Sequence, residues 1–355
     1  MIDTPEVLLE TPSLDVLSDL LRAVRVSGAI LLRGELSAPW AVQTPQPAQL
    51  ARLLMPGARR LAILHVVTHG HCWIEVAAGE RVALSAGTLA VLPYADVHTL
   101  GSGAEPDPVP ITTLARAAPA HGGVPRVVHG GGGALTRMIC GVLHCDELLF
   151  NPMLKTLPRL LVVRTPPEIE GSLLASGIHQ LSGEAELARA GSGCLQARLA
   201  ELLFIEVLRG HVASLPPGAA GSLGAVNDPI VGGALQHLHA RPRERWTVTS
   251  LARHVGTSRS LLADRFARLV GEPPMRYLTR WRLQLAAQLL RDGHAGLAAI
   301  ADQVGYESEA AFNRAFRRHA GEPPGAWRAK ISTTARAGTT ATGSAGSSAL
   351  RSSGR

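Results

Sequence analysis

Leu251-Ala252-Arg253-His254-Val255-Gly256 returns 49 residues later as Ile300-Ala301-Asp302-Gln303-Val304-Gly305. Gly271-Glu272-Pro273-Pro274 returns as Gly321-Glu322-Pro323-Pro324 at an offset of 50, so the two copies differ by one inserted residue. Each copy reads as a short helix, a Gly turn, a second helix and a Gly-x-Pro-Pro stop, which is a helix-turn-helix unit. Two such units in one chain predict a protein that reads duplex DNA.

The local chemistry supports that reading. Thr247 or Thr249 can cap the first helix, and Gly256 supplies a position that tolerates positive φ. Ser258 then caps a helix from Arg259 to about Val270, with Leu262, Phe266 and Leu269 on one stripe and Ser260, Ala263, Asp264 and Arg268 opposite. In the second copy Ile300, Ala301 and Val304 pack the first helix. Ser308 caps the next one, with Phe312 and Phe316 inward and Glu309, Asn313, Arg314, Arg317 and Arg318 outward. Arg and Asn are the side chains whose fork or amide matches purine edges in the major groove. Arg314, between the two inward Phe residues, projects toward the groove as a base reader. Arg317 and Arg318, nearly a turn later, suit phosphate. Between the copies, Met275 to Arg291 predicts one long helix with Leu278, Trp281, Leu285 and Leu289 on one side, a connector that sets the spacing of the two reading helices. Successive major-groove segments on one face of B-DNA lie roughly 34 Å apart.

Charge is placed accordingly. Residues 228–330 hold 16 Lys and Arg against 9 Asp and Glu, whereas residues 1–227 hold 16 against 19. The basic excess therefore sits on the repeated segment, as expected for a polyanionic partner. The 355 residues are enough for two domains, and 46% apolar content argues for globular structure. No run approaches about 18 apolar residues, so no membrane span is expected. Met1-Ile2-Asp3-Thr4-Pro5-Glu6 lacks the basic start of a secretory signal, so a cytoplasmic location is the expectation.

The segment 228–330 resembles the AraC/XylS family of bacterial transcription regulators. The resemblance rests on Leu251-Ala252…Val255-Gly256-x-Ser258, Tyr277-Leu278-x-x-Trp281-Arg282-Leu283, Ile300-Ala301…Val304-Gly305-Tyr306-Glu307-Ser308…Phe312-x-Arg314-x-Phe316 and Pro323-Pro324-x-x-Trp327-Arg328. It implies base contacts from Ser260, Ala263 and Asp264 in the first reading helix and from Glu309, Asn313 and Arg314 in the second. Ala263 and Asp264 are poor donors to base edges. Phosphate contacts are expected from Ser258, Arg259, Arg268, Ser308, Arg317 and Arg318. Double-stranded promoter DNA is the implied partner, and RNA polymerase is a further contact open to such a regulator.

Residues 60–145 change character. Leu61–Val67, Cys72–Val76, Arg81–Leu84 and Leu89–Leu92 are short β-type runs punctuated by Gly70, Gly79 and Gly87 at about nine-residue intervals, the rhythm of an antiparallel sandwich or barrel. This stretch, with Pro93, His98 and Cys140-Gly141-Val142-Leu143-His144, resembles the cupin-like sensor domain found ahead of the DNA-binding part in many such regulators. Cupin enzymes hold a metal with three His and a Glu, and His69, His71, Glu75 and His98 imitate that set. His69 and His71 flank the turn at Gly70, however, and apolar residues such as Leu61 and Ile63 stand where ligands belong. No metal or other cofactor is therefore expected. An apolar barrel with a few polar groups, His65, Trp73 and His98 among them, suits an unknown small-molecule effector. The four cysteines, Cys72, Cys140, Cys145 and Cys194, include no Cys-x-x-Cys. Buried or free thiols are expected, with Cys140 and Cys145 as an alternative redox pair.

Cys194 to about His211 reads as a helix with Leu195, Leu199, Leu202, Leu203 and Val207 on one broad side, which either packs onto its own domain or forms a homodimer contact. The expected architecture is α+β and multidomain. Residues 1–165 form an antiparallel β-barrel or jelly roll of cupin type, and 166–227 a helical dimerisation segment and linker. Residues 228–331 form an all-α double helix-turn-helix, and 332–355 a disordered tail. The expected function is sequence-specific transcription regulation in response to a small-molecule or redox signal, without enzymatic activity. The alternative is a cupin-type metalloenzyme with a helical appendage.

Overall fold

The computed structural model describes residues 16–22, 27–55, 58, 60–77, 79–104, 106–118, 124–144, 157–165, 172–187, 189–216, 223–293 and 295–330. The expected tail and Cys145 lie outside these residues. In chain order the elements begin α1 (Val16–Arg22), β1 (Ser27–Ser37), β2 (Trp40–Gln43), α2 (Pro47–Leu54), β3 (Leu61–His69), β4 (His71–Val76), β5 (Arg81–Ser85), β6 (Thr88–Leu92), β7 (His98–Ser102), β8 (Val109–Pro110) and α3 (Ile111–Ala117). They continue with β9 (Arg126–Gly130), β10 (Leu135–His144), β11 (Leu161–Arg164), α4 (Leu173–Leu187), α5 (Ser192–Ser214), α6 (Pro229–Ala240), α7 (Val248–His254), α8 (Arg259–Val270), α9 (Pro274–Asp292), α10 (Leu297–Gln303) and α11 (Glu309–Ala320). None of these helices is long and apolar enough to cross a membrane. The chain divides into two compact units, one built chiefly from Arg25–Leu148 with Leu157–Leu215, the other chiefly from Pro216–Arg328 with Met1–Val24.

In the first unit a six-stranded sheet, in the order β11-β6-β3-β10-β1-β9, faces a five-stranded sheet, β5-β4-β7-β2-β8. Leu61, Ile63 and Val67 of β3, Met138 and Val142 of β10, and Cys72 and Ile74 of β4 fill the space between them with Trp40, Leu84, Leu92 and Leu100. The cupin-type sandwich is thus present as two packed sheets rather than a closed barrel. β3 is buried along seven successive residues instead of alternating. The reason is cover on both faces: α5 lies against β1, β6, β10 and β11 and packs along α4, so the outer side of this sheet is also dry. Arg33 ties β1 to the end of α4 by donating to the Ala185 carbonyl at 3.2 Å.

In the second unit the helix starts are chemically matched. Thr247 and Ser250 form a reciprocal capping box on α7. Ser258 Oγ accepts from Leu261 N at 3.2 Å and Ser308 Oγ from Ala311 N at 3.2 Å. The turns also match, Gly256 and Gly305 having φ of 66° and 85°. Leu262 and Phe266 of α8 and Phe312 and Phe316 of α11 are fully buried. The connector α9 buries Tyr277, Leu278, Trp281, Leu283, Gln284, Ala287 and Leu290, while Leu285 and Leu289 are only half-buried. A single apolar side was expected; the burial is broader because α9 meets α8 on one side and α10 on another.

Candidate functional site

The two second helices present their expected faces. On α8, Ser260, Asp264, Arg259 and Arg268 are exposed and Ala263 is half-buried; on α11, Glu309, Arg314, Arg317 and Arg318 are exposed and Asn313 is half-buried. Ser258 and Ser308 are exposed while serving as caps, so their hydroxyls already hold the first turns of α8 and α11. That first turn carries unsatisfied N–H groups and the positive end of the helix dipole, which favours phosphate.

The arginines fall into two classes. Arg243, Arg245 and Arg265 pair with Asp302, Glu307 and Asp228, and Arg276 and Arg280 share the buried Glu272. Asp228 also caps α6 through Ile230 N and Val231 N. Burial would raise its carboxyl, but the Arg265 guanidinium and those two N–H groups hold it below the usual range. Among the described residues, Arg259, Arg268, Arg314, Arg317 and Arg318 have no carboxylate partner. Arg253 of α7 is a further exposed cation of this second class. It lies in the helix before the turn, inside the repeated motif, where the sequence gives no separate signal of a contact.

The first, sheet-rich unit holds a different cluster. His98 Nδ1 lies 2.8 Å from the Asp96 carbonyl, His65 Nε2 lies 2.7 Å from His98 Nε2, and Cys140 Sγ lies 3.0 Å from His65 Nδ1. Burial lowers His98 to about 4 and His65 well below its ordinary value, and it pushes the Cys140 thiol up to about 12. His65 and His98 are therefore together, inside the sandwich, as neutral imidazoles. Trp73 is not with them. It lies on the opposite face of its strand, half-buried, with the Arg81 guanidinium 4.1 Å from its ring centroid. His71 and Glu75 share that outward side of β4, Glu75 pairs with Arg81 at 2.9 Å, and His69 is exposed at the end of β3. With His98 buried between the sheets, His69, His71, Glu75 and His98 do not fit a cupin-type metal centre. Among the described residues no group of three or more His, Cys, Asp or Glu is arranged to hold an ion. A separate cavity of about 590 Å³ opens beside α2, lined by Pro47, Ala51, Arg52, Arg60, Leu61 and Tyr94 among others.

Comparison with known proteins agrees with this division. The Cupin family model matches residues 15–213, over half of the chain, and the Helix-turn-helix domain model matches residues 251–330. A protein of Streptomyces lividans described as an AraC-like transcription regulator is 33% identical over 319 residues, 89% of this chain and 97% of its own. The RCS-specific HTH-type transcriptional activator RclR of Escherichia coli is 27% identical over 78% of this chain and 87% of its own. Among solved structures, the DNA-binding domain of AdpA in complex with a target DNA matches at 30% identity over 29% of this chain and 92% of that one, with a TM-score of 0.28. With its capped and duplicated helix-turn-helix and its cupin unit, this chain belongs to the AraC-like DNA-binding transcription regulators.

Proposed function

We propose that the chain binds promoter DNA with α8 and α11 in two major-groove segments and answers to a small molecule held by its cupin unit. The observation that carries the DNA assignment is the set of arginines without carboxylate partners on the outer faces of the two reading helices, whereas Arg243, Arg245, Arg265, Arg276 and Arg280 are committed to carboxylates within the fold. Ser260, Ala263, Asp264, Glu309, Asn313 and Arg314 face the bases. Ser258, Arg259, Arg268, Ser308, Arg317 and Arg318 face phosphate. A bidentate Arg314–guanine contact discriminates by about 1–3 kcal/mol, whereas each phosphate contact adds roughly 0.9 to the salt slope whatever the sequence. Arg314→Ala should relax preference at one base pair, and Arg318→Ala should weaken all sequences and flatten the salt slope by about one. Binding titrations at several salt concentrations distinguish the two. Equal weakening of every sequence by Arg314→Ala would contradict its base-reading role.

The cavity beside α2, with two arginines and Tyr94 on otherwise apolar walls, supports an effector site; His65 and His98 lie in a sandwich already filled by side chains. A thiol response at Cys140 is disfavoured, because a thiol held near 12 has almost no reactive thiolate. The regulator acts in the cytoplasm without catalysis, as a homodimer joined through the outward side of α5.

A further inference from the structure

Both copies need glycine for the left-handed turn, but in the second copy it also permits a close approach. A Cβ on Gly256 would meet nothing within 4 Å. A Cβ on Gly305 would lie 2.8 Å from Arg243 Cα, 2.9 Å from the Pro242 carbonyl oxygen and 3.1 Å from Arg282 Cζ. The turn of the second copy is therefore pressed against the backbone of the segment Arg241-Pro242-Arg243-Glu244-Arg245-Trp246, which leads into the first copy. The residue by which the copies differ in length also falls here: Gly256-Thr257-Ser258 becomes Gly305-Tyr306-Glu307-Ser308.

The segment is held from three sides. Trp246 Nε1 donates to the Arg241 carbonyl at 3.0 Å, and Trp246 N to that of Glu244 at 2.8 Å, which folds the segment on itself. From α9, Arg282 Nε donates to the Pro242 carbonyl at 2.7 Å and Arg282 Nη2 to the Glu244 carbonyl at 3.0 Å. From the second copy, Asp302 of α10 takes Arg243 at 2.8 Å, and Glu307, one residue before the α11 cap, takes Arg245 at 3.0 Å. Exposed ion pairs of this kind add little to stability. Their value here is directional, because they join the entrance of α7 to the entrance of α11. In the first copy the position matching Asp302 is Arg253, so this acid is peculiar to the second turn.

We infer that segment 241–246 is a strut that fixes the angle between the two reading helices, with Arg282, Arg243 and Arg245 as positioning residues that make binding depend on half-site spacing. The inference rests on the reading that both helices enter DNA together. A helix connector alone sets distance along its axis but leaves rotation about it less restrained, and a second attachment off that axis removes this freedom.

The test uses the full chain, a duplex carrying the two half-sites selected from a random pool by the wild type, and the same duplex with one base pair inserted between them. Wild type should bind the lengthened duplex at least about tenfold more weakly. Arg282→Gln, and separately the Arg243→Ala, Arg245→Ala double variant, should shrink that penalty to below about threefold while binding of a single half-site is unchanged. Amide hydrogen exchange on the free chain supplies a readout without DNA: peptides spanning 242–250 and 302–308 should exchange faster in both variants. Exchanging the charges with Arg245→Glu and Glu307→Arg should restore the wild-type penalty. If Arg282→Gln fails to fold, the double variant decides. Unchanged spacing penalties and unchanged exchange in folded variants would overturn the strut. A wild type indifferent to the inserted base pair would remove the inference together with the two-helix reading, even if exchange in the variants were faster.

Discussion

The Asp96 carbonyl determines where three protons sit in the cupin unit. A carbonyl oxygen only accepts, so His98 carries its proton on Nδ1 and its Nε2 accepts from His65 Nε2–H; the bare His65 Nδ1 is then free to accept from the Cys140 thiol. Every member is neutral and satisfied, which makes the chain of bonds tolerable between two apolar sheets and costly to protonate. Above pH 6.5 the imidazoles are neutral in folded and unfolded chains alike. Between 6.5 and about 4 the unfolded chain takes up a proton at position 98 that the folded one refuses, so stability falls as pH drops through that window and the loss is complete below it. For His98 the loss is on the order of 3 kcal/mol. Denaturant titrations of wild type and His98→Gln between pH 7 and 4 should show a shallower fall in the variant, and parallel profiles would contradict the assignment. The sequence placed His65 and His98 in one barrel interior, but their bond and the Cys140 contact were not readable, because the three residues are brought together across strands 33 and 75 residues apart. Strand alternation alone separates Trp73 from them: Cys72 and Ile74 point into the sandwich, so Trp73 points out.

Helix α5 shows where an amphipathic reading succeeds and where it stops. Leu203 and Val207 are fully buried, as are Ala200, Phe204 and Leu208, so the inward stripe runs a little to one side of the expected one. Leu195 is exposed and Leu199 and Leu202 are half-buried. Sequence spacing identified the helix but could not phase its two apolar edges, because one edge meets a sheet that the local pattern does not show. The two edges make opposite predictions. Leu203→Arg places a charge in the packed layer and should unfold the cupin unit, whereas Leu195→Arg should leave circular dichroism and melting intact and convert the proposed dimer to a monomer in light scattering at micromolar concentration. A Leu195→Arg chain that stays dimeric would place the contact elsewhere. The helices of the second unit were far more legible. Ser258, Ser308, Gly256, Gly305, Phe312 and Phe316 each follow from a local rule of capping, turn or stripe, and each occupies the role that rule assigns.

Across the whole molecule the division of labour follows the charge: the basic excess lies on the duplicated helices, and the sheet-rich part is slightly acidic. Repetition made the DNA-binding unit legible because two copies constrain each other's interpretation. The cupin unit offered only a rhythm of short strands, so its sandwich topology and internal pairs waited for the structure. The strut of 241–246 was hidden for a related reason, since its ion pairs join residues about 60 positions apart and have no counterpart in the first copy. The central claim is that two helices of one chain read two groove segments at once. Selection of bound sequences from a random duplex pool by the full-length protein, followed by footprinting of the winners, tests it most directly. The account predicts two short conserved elements about one helical turn apart, both protected on the same face of the duplex. No enriched sequence, or a single element protected over less than one turn, would contradict it.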